Sequence, residues 1–213
     1  MVPRAPQPAD SPRDVEGDRP LSKKKRLAIV LGAFAVVLVG AFGAVGFFFF
    51  SVRLFEIEGP SMEPGWVDGD RVVVNALTTD PRPGDVVMLE SPQDDFTIMK
   101  RVIGVAGDEI DIDGFFVMRN GEPILADRID SADGFICFEE EIDGRVFRTK
   151  RDPLNPTTDS PPLTVPEGHI YVLGDHRARS NDSRFFGTVP IDRIVGTVGE
   201  HYLRVTPRDP CER

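Results

Sequence analysis

An unbroken apolar run from Leu27 to Phe50, about 24 residues long, constrains this chain more than any other stretch. Wound as a helix at about 1.5 Å per residue, such a run crosses a hydrocarbon core of roughly 30 Å. It is longer than the apolar region of a secretory signal, and its four closing phenylalanines offer no small-residue cleavage site. A transmembrane helix over residues 27–50 is therefore expected. Lys23, Lys24, Lys25 and Arg26 abut its start. Cytoplasmic flanks are enriched in Lys and Arg, so the N-terminus is expected in the cytoplasm, with residues 51–213 outside the cell membrane on a single pass. Residues 1–26 carry seven Lys/Arg against four Asp/Glu, about +3, and the whole chain carries −10, which leaves about −13 on the remainder. An acidic domain of this kind argues against nucleic acid as a partner, because phosphate contacts need a basic face. Residues 1–20, rich in Pro, Asp, Arg and Ser, lack the apolar surface that would offset ordering, and residues 1–26 read as a disordered cytoplasmic tail ending in the basic cluster.

From Val52 onward the pattern turns from helical to alternating, and short β-rich runs alternate with Gly, Pro and Asp. A mainly β domain is expected over residues 51–213. Val52 to Glu58, Asp70 to Val74, Asp85 to Leu89, residues 97–103, and His169 to Leu173 read as strands, and Ile194 to Val205 as the strand that closes the sheet. Asn120-Gly121, between two β-rich runs, is a strong two-residue hairpin signal, and Pro123 should then occupy an edge or a strand end. Residues 111–168 combine this hairpin with a variable insertion: from 126 onward the chain is polar, and from Asp152 it is proline-rich, more an excursion than a core layer. Cys137 and Cys211 have no metal-ligand spacing, and the sequence leaves open whether they are bridged or are two thiols.

Three stretches carry chemistry. Gly59-Pro60-Ser61-Met62-Glu63-Pro64 holds a serine between two prolines, and a serine hydroxyl needs a base to become a useful nucleophile. Lys100 is one candidate: on a strand over 97–103, period two puts Ile98, Lys100 and Val102 on one face, where desolvation lowers the ammonium pKa. The rival is a Ser-His-Asp triad through His176, beside Asp175, although adjacent residues seldom present their side chains to each other. His169 and His201 flank apparent strands and read as structural. Pro60 has no N–H, so the Ser61 N–H is the natural oxyanion donor, with Gly59 bringing only backbone. The Gly174 to Gly187 stretch, dense in Gly, Asp, Ser and Arg, fits a hydrogen-bonded loop in which Asp182 and Arg184 can pair.

In this order, behind one span, the three stretches resemble the bacterial type I signal peptidases, serine/lysine enzymes that remove signal peptides from exported proteins. Ser61-Met62-Glu63-Pro64 matches that family's Ser-Met-x-Pro box. Lys100-Arg101-Val102-Ile103-Gly104 with Gly107-Asp108 matches its lysine box, and Gly174-Asp175 through Ser180, Asp182, Ser183, Arg184 and Gly187 its last box. The resemblance covers about three quarters of the chain. It implies a coiled β-sheet catalytic domain like that of the self-cleaving repressors, Ser61 as nucleophile, Lys100 as general base, and Ser180 as the hydroxyl that holds the lysine amine. Asp182 and Arg184 are expected to brace the site. No cofactor or metal is implied. Gly65, Gly59 and His176 depart from the family pattern, which usually has threonine, sometimes serine, and usually asparagine there.

The substrates implied are signal peptides of exported preproteins, with small residues one and three positions before the cut. That spacing puts both side chains on one face of an extended peptide. Ile57, Met62, Ile98 and Met99 are the expected walls of the shallow pockets. Ser61 lies about ten residues beyond the span, at most ~35 Å of extended chain, so the site is expected near the outer surface of the lipid bilayer. Two other readings are a non-catalytic single-span β-domain that binds a partner, and a related peptidase with one dedicated substrate.

Overall fold

A computed structural model of the chain describes residues 22–212 except 79, 115, 133, 155–159 and 205–208; the expected tail over residues 1–20 lies outside them. The chain divides into two compact units after Gly46. Helix α1, Lys23–Ser51, spans 29 residues. The most apolar 18-residue window of its Lys23–Phe47 portion has a mean hydropathy of 2.6 and no buried residue. It is apolar all round, the pattern of a helix surrounded by hydrocarbon rather than one with a single core-facing stripe. By length and composition it can cross a membrane.

The second unit is mainly β. Strands β1 (Val52–Glu56), β2 (Arg71–Asn75), β3 (Val86–Glu90) and β4 (Thr97–Val105) are followed by β5 (Glu109–Asp113), β6 (Phe116–Arg119) and β7 (Glu122–Pro123). Then come β8 (Leu125–Ala132), β9 (Phe135–Ile142), β10 (Arg145–Arg151), β11 (Ser160–Thr164), β12 (His169–Leu173), β13 (Val189–Pro190) and β14 (Ile194–Leu203). They make three antiparallel sheets: seven strands in the order β1-β2-β14-β3-β4-β12-β13, four in the order β11-β5-β6-β7, and three in the order β10-β9-β8. The large sheet is curled, and register shifts in β14 and between β12 and β4 mark bulges, which bend a strand and increase its twist. The last strand, β14, runs through the middle of this sheet between β2 and β3 rather than along a border.

Three apolar clusters fill the domain. Ile57, Met62, Val72, Val74, Met88 and Met99 form one, on the side of the nucleophile turn. Val87, Leu89, Val102, Ile170 and Val172 form another, and Ile103, Ile110, Ile112, Val117 and Leu173 anchor the third. The hairpin after β6 has Asn120 and Gly121 at φ 56° and 80°, the left-handed pair that a tight two-residue loop demands. Pro123 takes the edge of its sheet, where its missing N–H costs no ladder bond.

Residues 126–151 differ from the polar excursion expected of them. They form the β8-β9-β10 meander, whose Ile142 and Phe147 are buried in the third cluster. The polar composition is absorbed by internal ion pairs: Glu140, 1% exposed, accepts hydrogen bonds from Thr149 Oγ1 at 2.7 Å, Arg151 Nη2 at 2.5 Å and Arg177 Nη2 at 2.6 Å. Those guanidiniums hold its carboxyl down at about 2 against the penalty of full burial. Cys137 and Cys211 are joined by a disulfide with their Cα atoms 5.5 Å apart.

Candidate active site

The turn between β1 and β2 carries Ser61, and several bonds fix its path. Ile57 N–H donates to Asp70 O at 2.7 Å and Gly69 N–H to Ile57 O at 2.8 Å, which closes the base of the turn. Gly59, at φ 82°, donates its N–H to Asp68 Oδ1 at 2.7 Å. Its donor is thus already engaged, and a Cβ added there would meet nothing within 4 Å. Met62, 1% exposed, plugs the apolar cluster directly after the serine. Ser61 O accepts from the His176 N–H at 3.1 Å, so the turn is tied across to the third stretch.

Lys100 lies on β4 opposite Val87 of β3. Ile98 and Val102, on its face at period two, pack in one apolar cluster. Its Nζ donates to Ser61 Oγ at 3.1 Å and to Met99 O at 2.9 Å. Only 3% of the residue is exposed. Burial pushes the amine down to about 8 from the ordinary 10.5, the carboxylates of Asp182 and Asp175 pull it part of the way back, and Arg184 opposes them. Ser61 and Lys100, 39 residues apart in sequence, therefore form a hydroxyl-amine pair in which the amine is neutral in an appreciable fraction of molecules near pH 7–8.

Half of the Gly174 to Gly187 stretch is buried, including Asp175, His176, Arg177, Ser180, Asp182 and Ser183, while Arg179, Asn181 and Phe185 are exposed. A 3-10 turn, Arg177–Arg179, leads to the short helix α2, Ser183–Phe186. Asp182, fully buried, caps α2 and accepts from Gly174 N–H at 3.0 Å, while Arg184 pairs with both its oxygens at 2.7 and 2.8 Å. Arg184 Nη2 also donates to Arg177 O at 2.7 Å, so the Asp182–Arg184 pair staples both ends of the loop. Gly174 sits where a Cβ would come within 2.3 Å of Ser180 Oγ and 2.5 Å of Ser61 O. Ser180 is buried beside the dyad, but its Oγ makes no hydrogen bond among the described residues. In this arrangement Lys100 is held by Ser61 and by the Met99 carbonyl.

His176 does not supply a triad here. Its backbone, not its ring, faces Ser61. The ring is buried edge-on to Phe135 at 4.8 Å, and neither nitrogen has a hydrogen-bond partner among the described residues. Burial and the nearby Lys150 ammonium hold it down at about 4. Of the other histidines, His169 Nδ1 lies 3.1 Å from Glu167 O, and the His201 side chain lies outside the described residues.

A groove of about 500 Å³ opens onto Ser61 and Lys100 and is lined by Ile57, Met62, Ile98 and Met99 among others. The expected wall residues are thus brought together on one concave surface.

The family model for signal peptidase, peptidase S26, matches residues 27–203. The chain belongs to the signal peptidase S26 family. Signal peptidase IB of Staphylococcus aureus is 36% identical over 157 residues, which is 70% of this chain and 76% of that protein. Signal peptidase I P of Bacillus subtilis subsp. natto is 30% identical over 151 residues, 68% of this chain and 74% of that one. A crystal structure of a signal peptidase I from Enterococcus faecalis has a TM-score of 0.39 and 30% identity, covering 55% of this chain and 96% of that one.

Around Ser61 and Lys100 lie pairings that the motifs, read one by one, do not connect. Arg101, adjacent to Lys100, is buried and pairs with Asp175 through two bonds of 2.7 and 2.6 Å, and its guanidinium stacks on Phe147 at 3.9 Å. The adjacency of Arg101 to Lys100 and of Asp175 to His176 was visible; the pairing spans 74 residues and was not. Lys150 Nζ likewise donates to Glu63 Oε2 at 3.2 Å across 87 residues.

Proposed function

We propose that this chain is a membrane-anchored serine endopeptidase that removes signal peptides from exported preproteins, with Ser61 as nucleophile and Lys100 as general base. The observation that carries this reading is the 3.1 Å contact between Lys100 Nζ and Ser61 Oγ on the floor of the groove. Neutral Lys100 takes the Ser61 hydroxyl proton as Oγ bonds to the scissile carbonyl carbon. The Ser61 N–H donates to the oxyanion, since the Gly59 N–H is engaged with Asp68. The C–N bond then breaks and Lys100 returns the proton to the leaving amine. Water next gives a proton to Lys100 and attacks the ester, and the serine oxygen leaves with that proton.

Asp182 and Arg184 keep the third stretch folded around the pair, and Ser180, buried beside it, is the hydroxyl within the loop that can meet the lysine amine when Ser61 is acylated. The substrate lies extended along the groove with small side chains toward Ile57, Met62, Ile98 and Met99. The domain is placed outside the cell, with the basic N-terminal flank in the cytoplasm, and the disulfide suits an oxidising compartment. Preproteins are the partners of this acidic domain, with no role for nucleic acid.

The test is cleavage of a preprotein with an Ala-x-Ala site by the detergent-solubilised full chain. Ser61→Ala and Lys100→Ala are expected to lose cleavage by at least about a thousandfold while still melting cooperatively, whereas His176→Ala retains it. Loss with His176→Ala and retention with Lys100→Ala would move the base to the histidine.

A further inference from the structure

Lys150 is a second buried lysine, and the dyad chemistry does not use it. It lies on β10 with its side chain 5% exposed. Its Nζ donates to Glu63 Oε2 at 3.2 Å and to Asp209 Oδ2 at 2.6 Å, and sits 5.0 Å over the Phe135 ring. Glu63 is two residues past Ser61, at the position that the Ser-Met-x-Pro pattern leaves open. The Lys150 N–H donates to Asp175 O at 3.0 Å, and its backbone bridges His176, whose own N–H holds Ser61 O. Residue 150 thus reaches the nucleophile turn twice, through Glu63 and through the 175–176 backbone.

The far end of the side-chain route is fastened covalently. Asp209 Oδ1 accepts from the Cys211 N–H at 2.9 Å, and Cys211 is bonded to Cys137, which is the direct register partner of Lys150 across β9 and β10. The disulfide therefore returns the C-terminal turn to the residue pair that needs its carboxylate. A buried ammonium requires partners, and a carboxylate on each side fixes its position. None of Glu63, Lys150 and Asp209 lines the groove that opens onto Ser61 and Lys100.

We propose that Lys150 is a positioning residue for Ser61: anchored by Asp209 on the disulfide-held C-terminal turn, it holds the nucleophile turn in register with Lys100 through Glu63. This rests on the Ser61/Lys100 reading above. A displacement of the nucleophile by about 1 Å can cost up to roughly a hundredfold in rate, and because the three residues lie off the groove lining the loss falls on kcat rather than on KM.

The experiment compares the full chain in detergent with Glu63→Gln, Asp209→Asn and the double variant, using the Ala-x-Ala preprotein and reading kcat and KM separately. Each single variant is expected to lose about tenfold or more in kcat with KM within about twofold. The double variant should lose little beyond the worse single, because both carboxylates act through one ammonium. Wild-type kcat in a folded Glu63→Gln protein, a loss confined to KM, or losses that multiply in the double variant would overturn the proposal. Glu63, 20% exposed at its side chain, tolerates the exchange without burying a new charge, so its kcat and KM decide the matter even if Asp209→Asn fails to melt cooperatively. Ser61→Ala and Lys100→Ala run alongside: activity in either sinks the dyad and this proposal with it, whereas their inactivity with an unaffected Glu63→Gln sinks the positioning role alone.

Discussion

Burial changes what the amine at position 100 can do near neutral pH. An exposed lysine is protonated there and cannot accept a proton; this one, lowered to about 8 chiefly by desolvation, is within reach of its base form. The acid limb of kcat/KM reports the free enzyme's ionisations, so it is expected to rise about tenfold per pH unit and level off above about pH 8. The surrounding charges set where that limb falls. Asp182 raises the amine and Arg184 lowers it. Asp182→Asn removes the first of these while leaving an oxygen to accept from Gly174 N–H, and it leaves Arg184 uncompensated. Both consequences act in one direction, so the limb should move to lower pH even though total activity falls. A limb that stays in place or moves up, measured on a folded variant, would mean that another group titrates.

At the level of strands and turns, one device recurs. Val67 N–H donates to Asp70 Oδ2, Arg82 N–H to Asp85 Oδ2 and Val105 N–H to Asp108 Oδ2, at 3.1, 2.8 and 2.9 Å. In each, a glycine with φ between 84° and 89° precedes the aspartate. The first two of these Gly-Asp turns, ahead of the strands read from Asp70 and Asp85, were readable because glycine supplies the left-handed residue and aspartate closes the turn locally; the third was read only as part of the lysine box. The strands flanking those first two were readable for the same local reason. Gly174-Asp175 looks alike in sequence yet serves otherwise: its aspartate goes to Arg101 and its glycine makes room for Ser180 and the Ser61 carbonyl. The pairings of Arg101 with Asp175, Glu140 with Arg177 and Lys150 with Glu63 span 37 to 87 residues. No local periodicity encodes them, so β8 to β10 looked like a polar excursion. Gly174→Ala tests the contrast. Its Cβ would meet backbone as well as a side chain at 2.3–2.5 Å, so a stability loss of about 1–3 kcal/mol is expected, with cleavage activity falling further than the melt accounts for. An unchanged melting temperature and rate would show that the end of β12 has slack at this point.

At the scale of the molecule, the disulfide is a long-range covalent constraint, linking β9 of the three-stranded sheet to the C-terminal turn over 74 residues. In the chain-entropy picture, closing a loop of that length stabilises the fold by about 4.5 kcal/mol, with measured bridges falling more often between about 2 and 4. The same turn is held non-covalently by Lys150 on Asp209, by an ion pair between Arg204 and Glu212, and by the Arg148 guanidinium on the Glu212 carbonyl. These contacts need the turn to stay near β10, and without the bridge they must bear the ordering entropy of the turn alone. Cys137→Ser, or reduction of the wild type, is therefore expected to lower the melting temperature of the solubilised protein by roughly 5–15 °C. Limited proteolysis should then cut first in the segment that leads to Cys211, ahead of the large sheet. If the reduced protein melts where the oxidised one does, the ion pairs alone hold the C-terminal turn. The bridge would then be a consequence of the compartment in which the chain folds rather than a support of the nucleophile turn.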